Sequence, residues 1–384
     1  MLSKLSIKDY DFKLILFIVA TNCIGILAVG SADPSLKNKQ LLGTILGLFL
    51  MVVISLFDLK LVYKFYWLWY FLNIGLLLAV QFAGDSSNNS QRWFEIAGIR
   101  FQPSEVAKII LIIFFAQFIM KYKDKVNSIR FLFGFCALSV VPIYLIIEQP
   151  DLSTTIVICA VLAVILLVGG LSWKIIVGAI VIAVPSFIVF LSIILKEGQT
   201  LINSYQRKRI LSFIYPELFV DDAYQQNNSV IAIGSGQLLG KGLNNVSTNS
   251  LKNSNFIIEP STDFIFAVIG EELGFAGTIS VIILLTLIVL ECLFIARRAK
   301  DVSGRVIAAG MGMLVGFQTF FNIGVATFIL PNTGLTLPFV SYGLTSLISM
   351  YIGMGFVLNV RLRSGKERER GSFQNEGIYL LEET

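Results

Sequence analysis

The 384-residue chain is predicted to fold as an all-α, polytopic membrane protein of ten transmembrane helices, and three observations carry that prediction. The first is composition: 55% of the residues are hydrophobic, only 14% are charged, and the mean hydropathy is +0.78. A soluble domain of this length carries about a quarter charged residues. The second is recurrence of apolar runs near the length, about 20 residues, that a bilayer span needs. The third is sidedness. With the N-terminus in the cytoplasm, 19 of the 30 Lys and Arg fall in segments on that side, as the positive-inside bias requires.

The spans are expected at 12–30, 40–57, 65–83, 103–120, 131–147, 152–171, 175–195, 264–296, 306–330 and 340–360. The first follows Lys4 and Lys8 and precedes Gly30, Ser31 and Ala32; its apolar run is longer than a signal-peptide core, so it is taken as a retained span. The segment 84–102 after the third span is polar. Pro103 opens the fourth span, where its missing N–H costs nothing. EQPDL, 148–152, makes a tight turn in which Pro150 sets the bend and Asp151 can cap the helix that follows. Residues 196–262 contain no run able to span and are Asn/Ser-rich over 244–255; a connection this long is usually functional or disordered. The eighth span is long enough to begin as a re-entrant or partly exposed segment. An even number of spans puts both termini in the cytoplasm. Residues 1–363 form one transmembrane domain with 196–262 as its large extracellular loop, and the charged stretch 364–384 is expected to be a disordered cytoplasmic tail.

Histidine is absent, which removes the commonest general base and any imidazole-bound zinc. Cys23, Cys136, Cys159 and Cys292 are scattered through apolar stretches without ligand spacing, so buried thiols are expected. Ionisable groups in or against spans are costly and call for a reason. Glu105 and Lys108 are three apart and share a helix face, either as a neutralising salt bridge or as a polar wall on a cavity. Asp151 suits a cap. Arg207, Lys208 and Arg209 lie on the outer side against the topological bias, as a solvated face or as ligands for a phosphate or diphosphate. Asp263 stands at the mouth of the eighth span, as a cap or as a reacting acid. Glu271 and Glu272 follow two turns later, and Glu291 lies deep in the same span. Gly234, Gly236, Gly240 and Gly242 mark a flexible polar segment; without a P-loop lysine pattern they imply no nucleotide.

Six blocks then occur in order: RWFEIAGIRFQPSEVAK (92–108), QPDLSTT (149–155), QRKRILSFIYPE (206–217), NSVIAIGSGQLLGKGL (228–243), EPSTDFIFAVIGEELG (259–274) and NIGVATFILPNTGLTLPFVSYG (322–343). Together they closely resemble the SEDS family, which contains RodA, FtsW and SpoVE, from the first span to about residue 361. The resemblance implies ten spans with a large extracellular loop before the eighth. It implies a peptidoglycan glycosyltransferase that polymerises lipid II into β-1,4-linked glycan strands outside the membrane, in elongation or division. It makes Asp263 the proposed catalytic residue and gives Arg92, Glu105, Lys108, Arg207 and Arg209 importance for activity. It also implies a class B penicillin-binding protein, a transpeptidase, as partner, alongside other elongasome or divisome membrane proteins; no nucleic acid is expected. The chain departs from the pattern at Ser261, where histidine is frequent, at Leu344 and Ser153, where glycine is usual, and at Gln237, a loop glycine.

Inverting transfer from an α-linked diphosphate donor needs in-line attack by the acceptor hydroxyl and a base for its proton. In a chain without histidine a carboxylate is the natural base, and Asp263 is assigned that role. Arg92, Lys108, Arg207, Lys208 and Arg209 would balance diphosphate charge, or a divalent cation, Mg2+ or Mn2+, would share the task; Glu105 would hold Lys108, with Asp151, Glu271 and Glu272 supporting. No organic cofactor is expected. The alternative from another class is a lipid II flippase, since an intramembrane Glu–Lys pair also suits a substrate path.

Overall fold

The computed structural model describes residues 10–87, 90–96, 99–196, 204–243, 256 and 259–382. In chain order the helices are α1 (Phe12–Ala32), α2 (Pro34–Leu56), α3 (Leu59–Lys64), α4 (Tyr66–Ala83), α5 (Pro103–Lys121), α6 (Ile129–Glu148), α7 (Leu152–Val168), α8 (Trp173–Leu195), α9 (Ser204–Ile214), α10 (Val220–Ser235), α11 (Ile265–Arg298), α12 (Val302–Ala326) and α13 (Leu344–Glu382). Eight of these, among the described residues, are long and apolar enough to cross a membrane: α1, α2, α4, α5, α6, α11, α12 and the Leu344–Ser364 part of α13. The sixth and seventh expected spans correspond to shorter apolar helices, Leu152–Val168 and Trp173–Ala183 within α8. The chain is a multi-pass, all-α membrane protein.

The bundle is built around α5. Its apolar stretch is 83% buried and that of α13 72%, whereas α2, α4 and α6 bury only 28–33% and turn the rest outward. Outward residues such as Leu16, Phe49, Phe71 and Phe133 are the apolar surface that lipid covers. Cys23, Cys136 and Cys159 belong to that outward surface; Cys292 alone of the four is buried. The expectation of four buried thiols is corrected accordingly, because a lipid-facing position satisfies an apolar thiol as well as a core does.

Between α2 and α13 the contact depends on small residues. A Cβ on Gly43 would stand 2.7 Å from the Leu344 side chain, and one on Gly47 2.2 Å from the ring of Tyr351. Spaced four apart, these glycines let the two helices approach closely. Leu344, where the family has glycine, is accommodated by the groove at Gly43. Tyr351 is fully buried and has nowhere to move. Gly47→Leu is therefore expected to destabilise the protein by about 1–3 kcal/mol or more through overpacking, read as a lower unfolding temperature in detergent. An unchanged melt would contradict this packing.

Several boundaries differ from expectation for local reasons. α2 begins at Pro34 rather than 40, because Asp33 caps it through a 2.9 Å bond from the Ser35 N–H. α13 begins at Leu344 rather than 340, because Ser341 is held in a turn by bonds between its hydroxyl and Leu337 N–H and Thr262 O. The helix runs on to Glu382, so residues that the sequence suggests as a disordered tail take helical backbone; Lys366, Glu367, Arg368, Glu369 and Arg370 are all good helix formers. Residues 84–102 contain a small antiparallel sheet, β1 (Asp85–Ser87), β2 (Ser90–Ile96) and β3 (Ile99–Phe101), in the order β1-β2-β3. The long connection 196–262 carries α9 and α10; the Asn/Ser-rich stretch 244–255 lies outside the described residues.

α11 is broken at Gly274, whose φ of 65° and ψ of −161° leave the helical region. The break frees backbone groups, and the turn after α10 supplies their partners. Lys241 N–H donates to Glu271 O at 2.9 Å and Gly242 N–H to Glu272 O at 3.0 Å; Phe275 N–H donates to Gln237 O at 2.8 Å and Ala276 N–H to Leu238 O at 3.1 Å. This junction has no room for side chains: a Cβ on Gly236 would stand 1.9 Å from Gly270 O, and one on Gly240 2.1 Å from Glu272 O. Gly236 and Gly240, two of the four glycines that suggested a flexible segment, thus serve backbone-on-backbone docking, whereas Gly234 and Gly242 have open space where a side chain would stand. Gln237, at a family glycine position, adopts φ 49° in the same turn.

Candidate active site

Asp263 lies just ahead of α11, whose N-cap is Phe264 and which has no side-chain cap. Its carboxylate is therefore not spent on capping, the alternative that the sequence left open. The side chain is half-buried. Its backbone carbonyl accepts a 2.9 Å bond from Asn322 Nδ2 on α12, and the same amide nitrogen donates to Leu335 O at 2.6 Å. Asn322 so ties the head of α11 to the segment between α12 and α13. That segment passes beside the carboxylate at Gly334, whose φ is 70°; a Cβ there would stand 3.2 Å from Asp263 Oδ2 and 3.8 Å from Arg209 Nη1. A bare backbone is what lets acid and guanidinium flank this point.

Arg209, on α9, donates through Nη1 to Asn332 O at 3.3 Å. Arg92, on β2, donates Nε to Gln149 O at 2.6 Å and Nη2 to Pro150 O, holding the turn before α7. In that turn Asp151 caps α7 through Thr154 N–H at 3.1 Å, as its position predicts, and its other oxygen faces the Gln102 amide at 3.5 Å. Ser153, at a family glycine position, uses its hydroxyl to bond Thr333 O. The structure thus brings Asp263, Arg209, Arg92 and Asp151 together, from four separated stretches of sequence. Burial pushes the Asp263 carboxyl up to about 6; Glu259 adds to this, Arg209 and Arg92 oppose it, and Asp151 adds again.

The other predicted residues lie elsewhere. Glu105 and Lys108 form the expected ion pair, 2.8 Å apart and both buried, in the first turns of α5. Lys108 also lines a small, otherwise apolar cavity with Leu111, Ile112, Ile158, Val161, Leu162 and Leu314; Glu105 is not part of that lining, so the ion pair is present and no polar wall is formed by the two. Arg207 turns back on α8: Nε donates to Ile194 O at 3.0 Å and Nη2 to Lys196 O at 3.2 Å. Its guanidinium serves as a helix C-cap. Lys208 is exposed on α9. Glu271 pairs with Lys241 at 2.9 Å, and Glu272 accepts from Ser31 Oγ at 2.6 Å on α1; both brace the α11 break rather than the surroundings of Asp263. Residues the sequence reading missed are Glu259, Asn322, Asn332 and Gly334. The acid of EPSTD was visible as the one carboxylate four positions before Asp263; the others act through backbone contacts that leave no compositional signal.

The sequence matches the FtsW/RodA/SpoVE family, described as cell cycle proteins, over residues 10–366. It is 34% identical over 360 residues to the peptidoglycan glycosyltransferase MrdB of Escherichia coli K12, covering 91% of this chain and 93% of that one. It is 32% identical over 379 residues to the probable peptidoglycan glycosyltransferase FtsW of Geobacter metallireducens, covering 94% and 97%. The fold is similar to a chain of a peptidoglycan synthase complex that coordinates polymerization and crosslinking, with a TM-score of 0.76 at 26% identity over 92% of this chain and 98% of that one. It is also similar to the rod shape determining protein RodA of Thermus thermophilus, with a TM-score of 0.67 at 26% identity over 92% and 96%. Matched along nearly its whole length, the chain belongs to the FtsW/RodA/SpoVE family of cell cycle proteins.

Proposed function

We propose that this protein is a peptidoglycan glycosyltransferase that polymerises lipid II on the outer face of the cytoplasmic membrane, with both termini in the cytoplasm. The observation that carries the reading is Asp263: a half-buried carboxyl not used as a cap, flanked by Arg209 and Arg92 where α11 begins. Asp263 takes the proton from the 4-hydroxyl of the acceptor sugar as that oxygen attacks the donor's anomeric carbon. The bond to the polyprenyl diphosphate breaks on the opposite face, and the two guanidiniums balance the charge that develops on the leaving group. Arg207 is left out of this charge-balancing set because, unlike Arg209 and Arg92, it is not among the charges that act on Asp263.

Among the described residues no three Asp, Glu or Cys side chains gather as a metal cage. Mg2+ and related ions are commonly held by one or two carboxylates together with substrate phosphates. Mg2+ or Mn2+ therefore enters the proposal as a companion of the diphosphate, with no step assigned to it. The membrane partner is a class B penicillin-binding protein, supported by the likeness to a chain of a synthase complex that polymerises and crosslinks.

Purified protein given lipid II is expected to produce glycan strands. Transport of intact lipid II without strand formation would instead favour a flippase and end this reading. Since the base must be ionised and its carboxyl is held at about 6, activity is expected to fall as pH drops through about 6 and to level off above it. A rate that is flat from about pH 7 down to about pH 4.5 would exclude Asp263 as the titrating base.

A further inference from the structure

Ser153 carries a hydroxyl that its own helix does not use. It stands in the first turn of α7 and is only 5% exposed. That turn is capped without it: Thr154 N–H donates to Asp151 Oδ1 at 3.1 Å, and the Thr155 hydroxyl donates to Asp151 O at 2.9 Å. Serine inside a helix commonly bonds a carbonyl one turn back, and it forms helix less well than alanine. Here the hydroxyl instead donates to Thr333 O, 180 residues along the chain. A buried serine that gives its own helix nothing needs a reason of its own.

The bond lies in the middle of a path that joins the two guanidiniums flanking Asp263. On one side Arg92 donates to Gln149 O and Pro150 O, in the turn that runs directly into Ser153. On the other side Thr333 follows Asn332, whose carbonyl accepts from Arg209 Nη1 at 3.3 Å. Gly334 comes next and is exposed; a Cβ there would stand 3.2 Å from Asp263 Oδ2 and 3.8 Å from Arg209 Nη1. The strap 332–335 has two further ties. The Asn332 amide donates to Gln225 Oε1 at 3.2 Å, and Leu335 O shares Asn322 Nδ2 with Asp263 O. These fix the strap to α10 and α12. Among the described residues, the Ser153 hydroxyl alone bonds it to the turn that Arg92 holds. We propose that Ser153 is a positioning residue for the diphosphate: through Thr333 it sets how far apart Arg92 and Arg209 stand, and so fits the pair to two linked phosphates rather than one. The inference rests on the reading of both guanidiniums as partners of the leaving group. Guanidiniums recognise phosphate oxygens through directed N–H bonds, and such recognition needs placement within about 0.5 Å. Two phosphates joined through one oxygen present their charge at a fixed separation, which a fixed pair of cations can match.

The test is equilibrium binding of farnesyl diphosphate and of farnesyl monophosphate to the purified full chain in detergent. The two probes share a tail, so the ratio of their dissociation constants isolates the second phosphate. That ratio does not depend on how much of the protein is folded, and it stays readable in a less stable variant. Wild type is expected to bind the diphosphate several-fold more tightly than the monophosphate. Ser153→Ala, which keeps a good helix former in α7, is expected to lower the ratio several-fold, by weakening the diphosphate while leaving the monophosphate nearly unchanged. Ser153→Gly should do the same. A serine that only supported α7 would leave the ratio where it was. An unchanged ratio in Ser153→Ala, beside clear discrimination by wild type, would overturn the role of Ser153 and leave the charge-balancing reading of the arginines standing. A wild-type protein that does not favour the diphosphate would remove that reading, and this inference with it.

Discussion

Asp263→Asn is expected to lower the rate of glycan polymerisation by roughly 10²–10⁴-fold, the usual worth of a general base, while the protein stays folded. The amide cannot accept the acceptor's proton. The contacts that hold the turn are made by backbone atoms: Asn322 bonds the Asp263 carbonyl, and no side chain caps α11. The stability effect has a definite sign. An unfolded aspartate ionises near 3.8, and here the carboxyl is held at about 6. Between these values the native state binds more protons than the unfolded state, so stability falls as pH rises through this window and is lowest above it. Asp263→Asn removes that dependence and should melt no lower than wild type at neutral pH. Strand synthesis from lipid II, measured beside an unfolding curve in detergent, checks both halves. Near wild-type synthesis in the variant would end the role given to Asp263; lost synthesis with a collapsed melt would point to a structural one.

Separating Glu105 from Lys108 should have the largest effect on stability. The two are side-chain neighbours at 2.8 Å, with only 6% and 1% of their side chains exposed. Removing one partner of such a pair leaves a charge stranded in the bundle, at a typical cost of about 3–5 kcal/mol. Glu105→Gln and Lys108→Met are each expected to lower the melting temperature markedly. The double variant should recover most of the loss, since an apolar and a neutral side chain bury together without stranding a charge. Activity then divides the two readings of the pair. If it only supports α5, the double variant polymerises lipid II in proportion to the protein that remains folded. If Lys108 contributes charge to the diphosphate, the double variant is folded and slow. Single variants that melt like wild type would contradict the burial of the pair.

How far the sequence could be read follows the range of the interactions involved. Pro103 and Glu105 in the first turn of α5, the Glu105–Lys108 pair, and Asp151 as a cap are all contacts within four residues, and each stands where spacing puts it. Glu271 and Glu272 could be recognised as costly, yet their partners Lys241 and Ser31 are 30 and 241 residues away. Arg207 resembled a phosphate ligand until α8 ended beside it and its carbonyls took the guanidinium. Gly236 and Gly240 looked like flexibility and proved to be close packing, because a missing side chain has the same letter in either role.

That the chain is a helical protein crossing a membrane several times, the spacing of Glu105 and Lys108, the absence of histidine and the presence of one acid just ahead of α11 were legible in the sequence alone, since hydropathy, composition and helical spacing are local properties. Tertiary structure decided which charges reach that acid. Arg209, Arg92, Asp151 and Glu259 meet around Asp263 because β2, α9, the turn before α7 and the α12–α13 connection converge there. Electrostatic and desolvation effects on a carboxyl depend on distance in space and on exclusion of water, and neither is written in the order of residues along the chain.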